Sequence, residues 1–288
     1  MTFPGRLLAV GNLSPKKHMG QNFLIDPSTA EMIVRRADIT KNDAVMEIGA
    51  GLGALTQPLA RCAKTVYAVE KDRDLIEILS GVLAENKTDN VNLLNRNIFD
   101  VDIEEIAREE KGRITVFGNL PYNISSQVVI WAIRHRNIIN RAVFMFQKEV
   151  AMRIAARPGS GDYGRLSVMV QHYGSVVRIA KINAHQFFPR PKVDSEVIEI
   201  RFAQGAETQA EDEALFSSLV KAAFGQRRKT LKNALSGSGT DLDSRMVECM
   251  WENTSIDPVR RAETITVPEF VALANVLKKC RDNAVKTR

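Results

Sequence analysis

Apolar positions in the first two-thirds of the chain alternate between two rhythms. Short apolar runs at 44–48, 65–69, 91–94, 114–117 and 142–146 read as buried strands. Between them, 3.6-residue spacing predicts helices over 54–63, 73–83, 103–110 and 125–134, after a first helix opened by Pro27 and running to about Ala37. Strand–helix alternation of this kind implies a parallel sheet covered on both faces. Residues 176–182 and 196–202 read as two further strands, and the alternation of Val197, Ile198, Ile200 and Phe202 suggests an antiparallel hairpin at the sheet edge. Residues 1–26 show no sustained period and read as an irregular arm.

After residue 203 the pattern changes. The stretch 204–213 is polar and contains Gly205, so a domain boundary belongs there. Helical spacing then dominates, over 214–224, 229–235, 244–251 and 267–279. The division expected is 1–204, with 1–26 as its N-terminal arm, and 205–288 as a small all-α domain. The 288 residues suit two domains, and 44% hydrophobic against 26% charged residues suits a folded core. No apolar run approaches the roughly 18 residues of a membrane span, and the N-terminus lacks a secretory signal pattern. Cys62, Cys249 and Cys280 are odd in number and far apart, so neither a disulfide framework nor a zinc site is expected, and a reducing cytoplasm fits best. The net charge of +6 leans modestly toward a polyanionic partner.

Candidate chemistry begins with Glu47-Ile48-Gly49-Ala50-Gly51-Leu52-Gly53, between a predicted strand and helix. Glycines such as Gly49 and Gly51 let backbone approach a ligand with no Cβ in the way. About twenty residues on, Glu70 closes the second strand, where a carboxylate can accept hydrogen bonds from a ribose diol. A nucleoside-containing cofactor is implied. The loop also satisfies the looser dinucleotide fingerprint, which leaves a hydride-transfer enzyme open. The acid preceding the first glycine, and the Gly-x-Gly-x-Gly form, favour S-adenosylmethionine, as in class I methyltransferases.

Directly after the fourth strand stands Asn119-Leu120-Pro121-Tyr122. Pro121 biases Leu120 toward extended geometry. Such an elbow can hold the Leu120 carbonyl and the Asn119 side-chain oxygen as two acceptors for both hydrogens of an exocyclic amine. The nitrogen lone pair is then turned toward an approaching methyl group, and Tyr122 offers a stacking face. No strong base is required, because the charge that develops on nitrogen is met by the acceptors.

These strings, with Gly20-Gln21-Asn22-Phe23-Leu24, Gln147-Lys148-Glu149, Tyr163-Gly164-Arg165-Leu166-Ser167-Val168 and the run 187–195 from Phe187 to Ser195, closely resemble the ribosomal RNA adenine N6-dimethyltransferases of the small-subunit, kasugamycin-resistance type. The resemblance spans residues 20 to about 202. It implies an α/β fold, a class I methyltransferase Rossmann-like sheet with a small C-terminal all-α domain. The implied reaction is dimethylation of N6 on two adjacent adenines near the 3′ end of small-subunit (16S-type) rRNA, with S-adenosylmethionine consumed and S-adenosylhomocysteine released, late in small-subunit assembly. A monomer acting on rRNA in a pre-30S particle, with no metal and no membrane, is expected. By the same resemblance Asn22 and Leu24 contact the cofactor from a segment folded over it. Gly49 lies against its methionine part and Glu70 holds its ribose. Asn119 touches cofactor and target amine, and Phe187 sandwiches the flipped adenine opposite Tyr122, since a stacked base cannot reach a recessed donor. Where many members of the family carry an Asp toward the cofactor adenine this chain has Asn97, with Asp100 as the alternative.

The 221–235 segment carries Lys221, Arg227, Arg228, Lys229 and Lys232 with no carboxylate. Arg227, Arg228, Lys229 and Lys232 are candidate phosphate contacts, against the alternative of a solvated helix face. Lys16-Lys17-His18 fits either an RNA contact or a mobile arm. His18, His135, His172 and His185 show no metal spacing, and Cys62, Trp131 and Trp251 read as core packing. Two other readings stay open: a large-subunit rRNA methylase of the macrolide-resistance type, and a mainly non-catalytic assembly or nucleic-acid-binding factor.

Overall fold

The computed structural model describes residues 4–11, 13–121, 123–203, 210–237 and 242–286. In chain order the elements are α1 (Pro4–Val10), β1 (Phe23–Leu24), α2 (Pro27–Arg36), β2 (Ala44–Ile48), α3 (Thr56–Cys62), β3 (Thr65–Val69), α4 (Arg73–Glu85), β4 (Val91–Leu94), α5 (Ile103–Glu109), β5 (Ile114–Asn119), α6 (Ser125–Arg134), β6 (Ile139–Gln147), α7 (Lys148–Ile154), α8 (Arg165–Tyr173), β7 (Gly174–Ile182), β8 (Phe187–Phe188), β9 (Ser195–Phe202), α9 (Glu213–Gly225), α10 (Leu231–Leu235), α11 (Ser244–Glu252) and α12 (Val267–Lys286).

Seven strands form one sheet in the order β4-β3-β2-β5-β6-β9-β7. The β2–β3, β3–β4, β2–β5 and β5–β6 pairs are parallel, while β9 runs antiparallel to β6. All five residues of β2 are buried, as expected of a central strand covered on both faces. On one face Val45, Phe117 and Val143 pack against Ile33 and Val34 of α2 and Leu59 of α3. Helix starts are set by aspartates: the side chains of Asp26, Asp72 and Asp102 accept backbone N–H groups at the first turns of α2, α4 and α5. From β2 the chain runs outward through β3 and β4, then returns to place β5 on the other side of β2. Strand order reverses there, and the carboxyl ends of β2 and β5 flank the crevice where open α/β sheets bind ligands.

The described residues divide into two compact units. One comprises Met1–Ala151 with Ser175–Phe202, the other Met152–Gly174 with Ala203–Arg288. The second unit therefore draws α8 from within the chain as well as α9 to α12 from its end. Phe216, Leu219 and Val220 of α9 and Phe270, Leu273 and Leu277 of α12 are buried. Tyr163 packs edge-on against Phe224, which in turn meets Phe270. His172 lies against Phe216 and reaches a Glu213 carboxylate oxygen at 3.0 Å, and the Tyr173 hydroxyl donates to the same carboxylate at 2.6 Å. Residues 204–209 of the expected linker lie outside the described residues.

Three sequence expectations are corrected. Residues 1–26 are not wholly irregular. They contain α1 and β1, because Leu8 and Phe23 find apolar partners in Leu52 and Leu75, distant residues that no local period can reveal. Cys249 and Cys280 are joined as a disulfide with Cα atoms 6.0 Å apart, because α11 and α12 pack side by side. Trp251 is half-buried rather than core. Cys62, the remaining free thiol at the end of α3, is partly buried and packs against the core, as expected. No group of His, Cys, Asp and Glu suited to a metal occurs among the described residues, and no described helix is long and apolar enough to cross a membrane.

Candidate functional site

The loop after β2 turns through three glycines with positive φ, at Gly49, Gly51 and Gly53. At Gly51 (φ +56°) a Cβ would also lie 3.3 Å from Phe23, so the loop and the N-terminal segment need the absent side chain to meet. Backbone N–H groups of Gly49 and Ala50 donate to Val69 O at the end of β3, which draws the loop against that strand. Glu70 follows directly. Its two carboxylate oxygens accept from Gly51 N and Asp72 N, each at 2.9 Å, leaving further lone pairs for a diol. Burial pushes the Glu70 carboxyl above its ordinary value, while the two N–H donors pull it back. Glu47 at the end of β2 is fully enclosed and accepts from the Thr56 hydroxyl at 2.6 Å. Burial raises its pKa to about 8, Thr56 opposes that rise, and the nearby Glu70 charge adds to it.

Strand β5 ends beside this loop because Ile48 is in register with Gly118. A side chain at Gly118 would come within 2.7 Å of Leu120 Cδ2 and 3.0 Å of Ile48 O, so only glycine lets the strand end this close to β2. The Asn119 amide nitrogen donates to Asn22 O at 2.8 Å, which leaves Oδ1 as the accepting atom of that side chain. Leu120 is buried and tied by its N–H to Met145 O, and none of the described residues donates to its carbonyl. The elbow offers two accepting oxygens. Tyr122 lies outside the described residues.

These groups line one cavity of about 360 Å³, within the range of small-molecule sites. Gly49, Gly51, Glu70, Asn97, Asn119 and Leu120 all contribute to its wall, together with Asn22, Leu24 and Phe187. Two-residue β1 pairs antiparallel with β8, setting Leu24 opposite Phe187 and Phe23 opposite Phe188. Thus the N-terminal segment and the loop carrying Phe187 reach the cavity as one ribbon. Asn97 caps the short helical turn at Ile98–Asp100 through Phe99 N, and it faces the cavity, whereas Asp100 is not part of the wall.

Sequence reasoning missed Phe99, an exposed aromatic at the cavity wall. It also missed a polar cluster of Lys16, Gln21, Asp72 and Asp74 beside Glu70. Lys16 pairs with Asp72 and Asp74. Only the proximity of Asp72 and Asp74 to Glu70 in the sequence hinted at this. The candidate phosphate contacts lie in the second unit, on or near α9 and α10. Arg228, Lys229 and Lys232 are exposed. Arg227 is exposed but donates to Gly161 O at 2.7 Å and pairs with Glu263 at 3.5 Å, so it also holds its own unit together.

A family model described as ribosomal RNA adenine dimethylase matches residues 12–279. The chain belongs to that family. It is 48% identical over 277 residues to the ribosomal RNA small subunit methyltransferase A of Desulforapulum autotrophicum, covering 96% of this chain and 97% of that protein. With the protein of the same description from Clostridioides difficile it shares 39% over 268 residues, 92% of each chain. Among solved structures, a dimethyladenosine transferase from Plasmodium falciparum superposes with a TM-score of 0.75 at 24% identity, covering 90% of this chain and 98% of that one. The 23S rRNA methyltransferase ErmE gives 0.66 at 24% identity, covering 89% and 99%. These last two likenesses show the fold, a class I methyltransferase α/β sheet. Membership of the dimethylase family implies use of S-adenosylmethionine and an rRNA substrate, and it sets aside the nicotinamide reading of the glycine loop.

Proposed function

We propose that this protein dimethylates N6 of two adjacent adenines near the 3′ end of small-subunit rRNA, late in subunit assembly. The observation that carries the reading is the pair of acceptors at the end of β5, Asn119 Oδ1 and Leu120 O, on the wall of a cavity that also contains Glu70 and the glycine loop. The cavity fits the cofactor. Its glycine loop has no Cβ to obstruct a ligand, Glu70 keeps accepting capacity for a ribose, and Asn97, whose amide oxygen accepts from Phe99 N, keeps a second lone pair on the cavity wall for an adenine amine. When bound, S-adenosylmethionine supplies an electrophilic methyl carbon on a sulfonium.

The chain's own residues do the rest. At the first transfer Asn119 and Leu120 each accept one hydrogen of the adenine amine, and at the second the single remaining hydrogen is held by one of them; either contact turns the nitrogen lone pair out of conjugation. They also stabilise the positive charge that grows as the N–C bond forms and the C–S bond breaks. One proton leaves the nitrogen for solvent per transfer, so no side chain need titrate. Phe187, with Tyr122, stacks the flipped base, and alignment supplies much of the remaining acceleration. In this reading the unit of residues 1–151 and 175–202 carries out the chemistry, and the other unit grips RNA through Arg227, Arg228, Lys229 and Lys232. A cytoplasmic monomer working without a metal on a pre-30S particle completes the proposal. The small-subunit descriptions of relatives at 39–48% identity support this over a large-subunit substrate.

The test is incubation with separated, unmethylated ribosomal subunits and labelled S-adenosylmethionine, followed by mapping of modified nucleotides. Two adjacent dimethyladenosines near the small-subunit 3′ end are expected. Label on the large subunit, or none at all, overturns the reading.

A further inference from the structure

Residues 18–24 form one part of the cavity wall, with His18, Met19, Gly20, Gln21 and Asn22 preceding Phe23 and Leu24. Among the described side chains of 13–22, none is buried. Apolar anchoring lies at the two ends, where Leu13 packs against the cluster of Leu8, Phe23, Leu52 and Leu75 and where Phe23 and Leu24 are buried. Between those ends, residues 16–21 are held by polar contacts. Lys16 Nζ reaches Asp72 Oδ1 at 2.7 Å and Asp74 Oδ2 at 2.8 Å. Its backbone N–H donates to Gln21 Oε1 at 2.8 Å, and Gln21 Nε2 donates to Asp72 Oδ2 at 2.9 Å. Asp72 is only 4% exposed, and a carboxylate so enclosed needs its cation. Its N–H in turn donates to Glu70, so the latch and the ribose-facing carboxylate share one turn of chain.

The other end of the segment bears on the reaction. Asn22 O receives the Asn119 amide N–H, and Leu24 is paired with Phe187. One short strap thus touches the cofactor wall, the amine acceptor and the base-stacking ring. We propose that Lys16 is a positioning residue. By latching residues 16–24 to Asp72 and Asp74 it retains the cofactor, and through Asn22 it sets the Asn119 amide with Oδ1 toward the target amine. The inference rests on the functional reading above. It orders the reaction: cofactor first, strap shut, acceptor formed, adenine last. Because each amine takes two methyl groups, the strap opens for cofactor exchange between transfers, and the acceptor is dismantled and rebuilt each time.

Lys16→Met tests this, with S-adenosylhomocysteine as the probe in calorimetric titration of the full chain. The probe's dissociation constant is expected to rise about tenfold (about 1.4 kcal/mol). The KM for S-adenosylmethionine rises in parallel, and kcat at saturating cofactor falls several-fold, well short of the loss expected for Asn119→Ala, because Asn22 no longer holds the Asn119 amide as firmly. Added salt weakens probe binding to the wild type, and that dependence flattens in the variant, since an ion pair has been removed. Lys16→Arg restores both readouts. Asp74→Asn, which removes the more exposed partner and leaves the α4 cap intact, gives a smaller loss in the same direction. Wild-type affinity and salt dependence in Lys16→Met overturn the strap while leaving the functional reading standing. Wild-type protein that binds no S-adenosylhomocysteine overturns both.

Discussion

At the scale of single residues, the proposed role of Asn119 rests on one amide, whose nitrogen donates to Asn22 O and whose oxygen is left to accept. Asn119→Ala is expected to lower kcat by about 10²–10³, the range for loss of one preorganised polar group at a developing charge. Cofactor affinity should fall far less, and a single-turnover assay beside calorimetry separates the two. Turnover near wild type would refute the acceptor role. Glu47 behaves differently. Its folded value near 8 lies above the ordinary 4.5, so the fold stabilises the protonated acid. That stabilisation is complete below about pH 4.5 and is lost as pH rises through 8. Wild-type protein should therefore lose thermal stability relative to Glu47→Gln between pH 5 and 8. Parallel melting curves for the two across that window would show that Glu47 is already ionised in the fold.

Among elements, the α11–α12 disulfide closes a sequence separation of 31 residues. A loop of that size implies roughly 3–4 kcal/mol from restricting the unfolded chain. Reduction, or Cys249→Ser, is expected to lower the melting temperature of the helical unit and to leave S-adenosylhomocysteine binding unchanged. Identical unfolding of oxidised and reduced protein would argue against the pair. The turn between α9 and α10, together with Lys232 of α10, carries the exposed cations. Replacing Arg228, Lys229 and Lys232 with Glu should weaken small-subunit RNA binding and reduce its salt slope, by about 0.9 for each phosphate no longer neutralised. Arg227→Glu should in addition lower stability, because that guanidinium serves Gly161 and Glu263. Equal RNA affinity in the triple variant would remove this face from the proposal.

Taking the molecule whole, the strands between 44 and 119 were legible because fully buried parallel strands read as unbroken apolar runs. That Gly49, Glu70 and Asn119 share one cavity wall was legible because each sits where a strand ends. What stayed hidden depends on distant partners. The helix at Pro4–Val10 has seven residues, and β1 and β8 have two each, too few to show a period. The Lys16 latch and the Cys249–Cys280 bond join residues that only the finished fold brings together. Equally invisible was the membership of residues 152–174, whose buried Val168, Met169 and Val170 look like core for any neighbour.

That last assignment bears on how the protein is made. Synthesis is vectorial, and α8 leaves the ribosome before β7 and β9 have completed the sheet and well before α9 and α12 exist to cover it. A nascent chain stalled near residue 204 would therefore display a bare apolar helix from one body while the other is nearly finished, a form suited to holdase chaperones and to proteolysis. For the same reason, a gene cut at the apparent linker yields neither half intact.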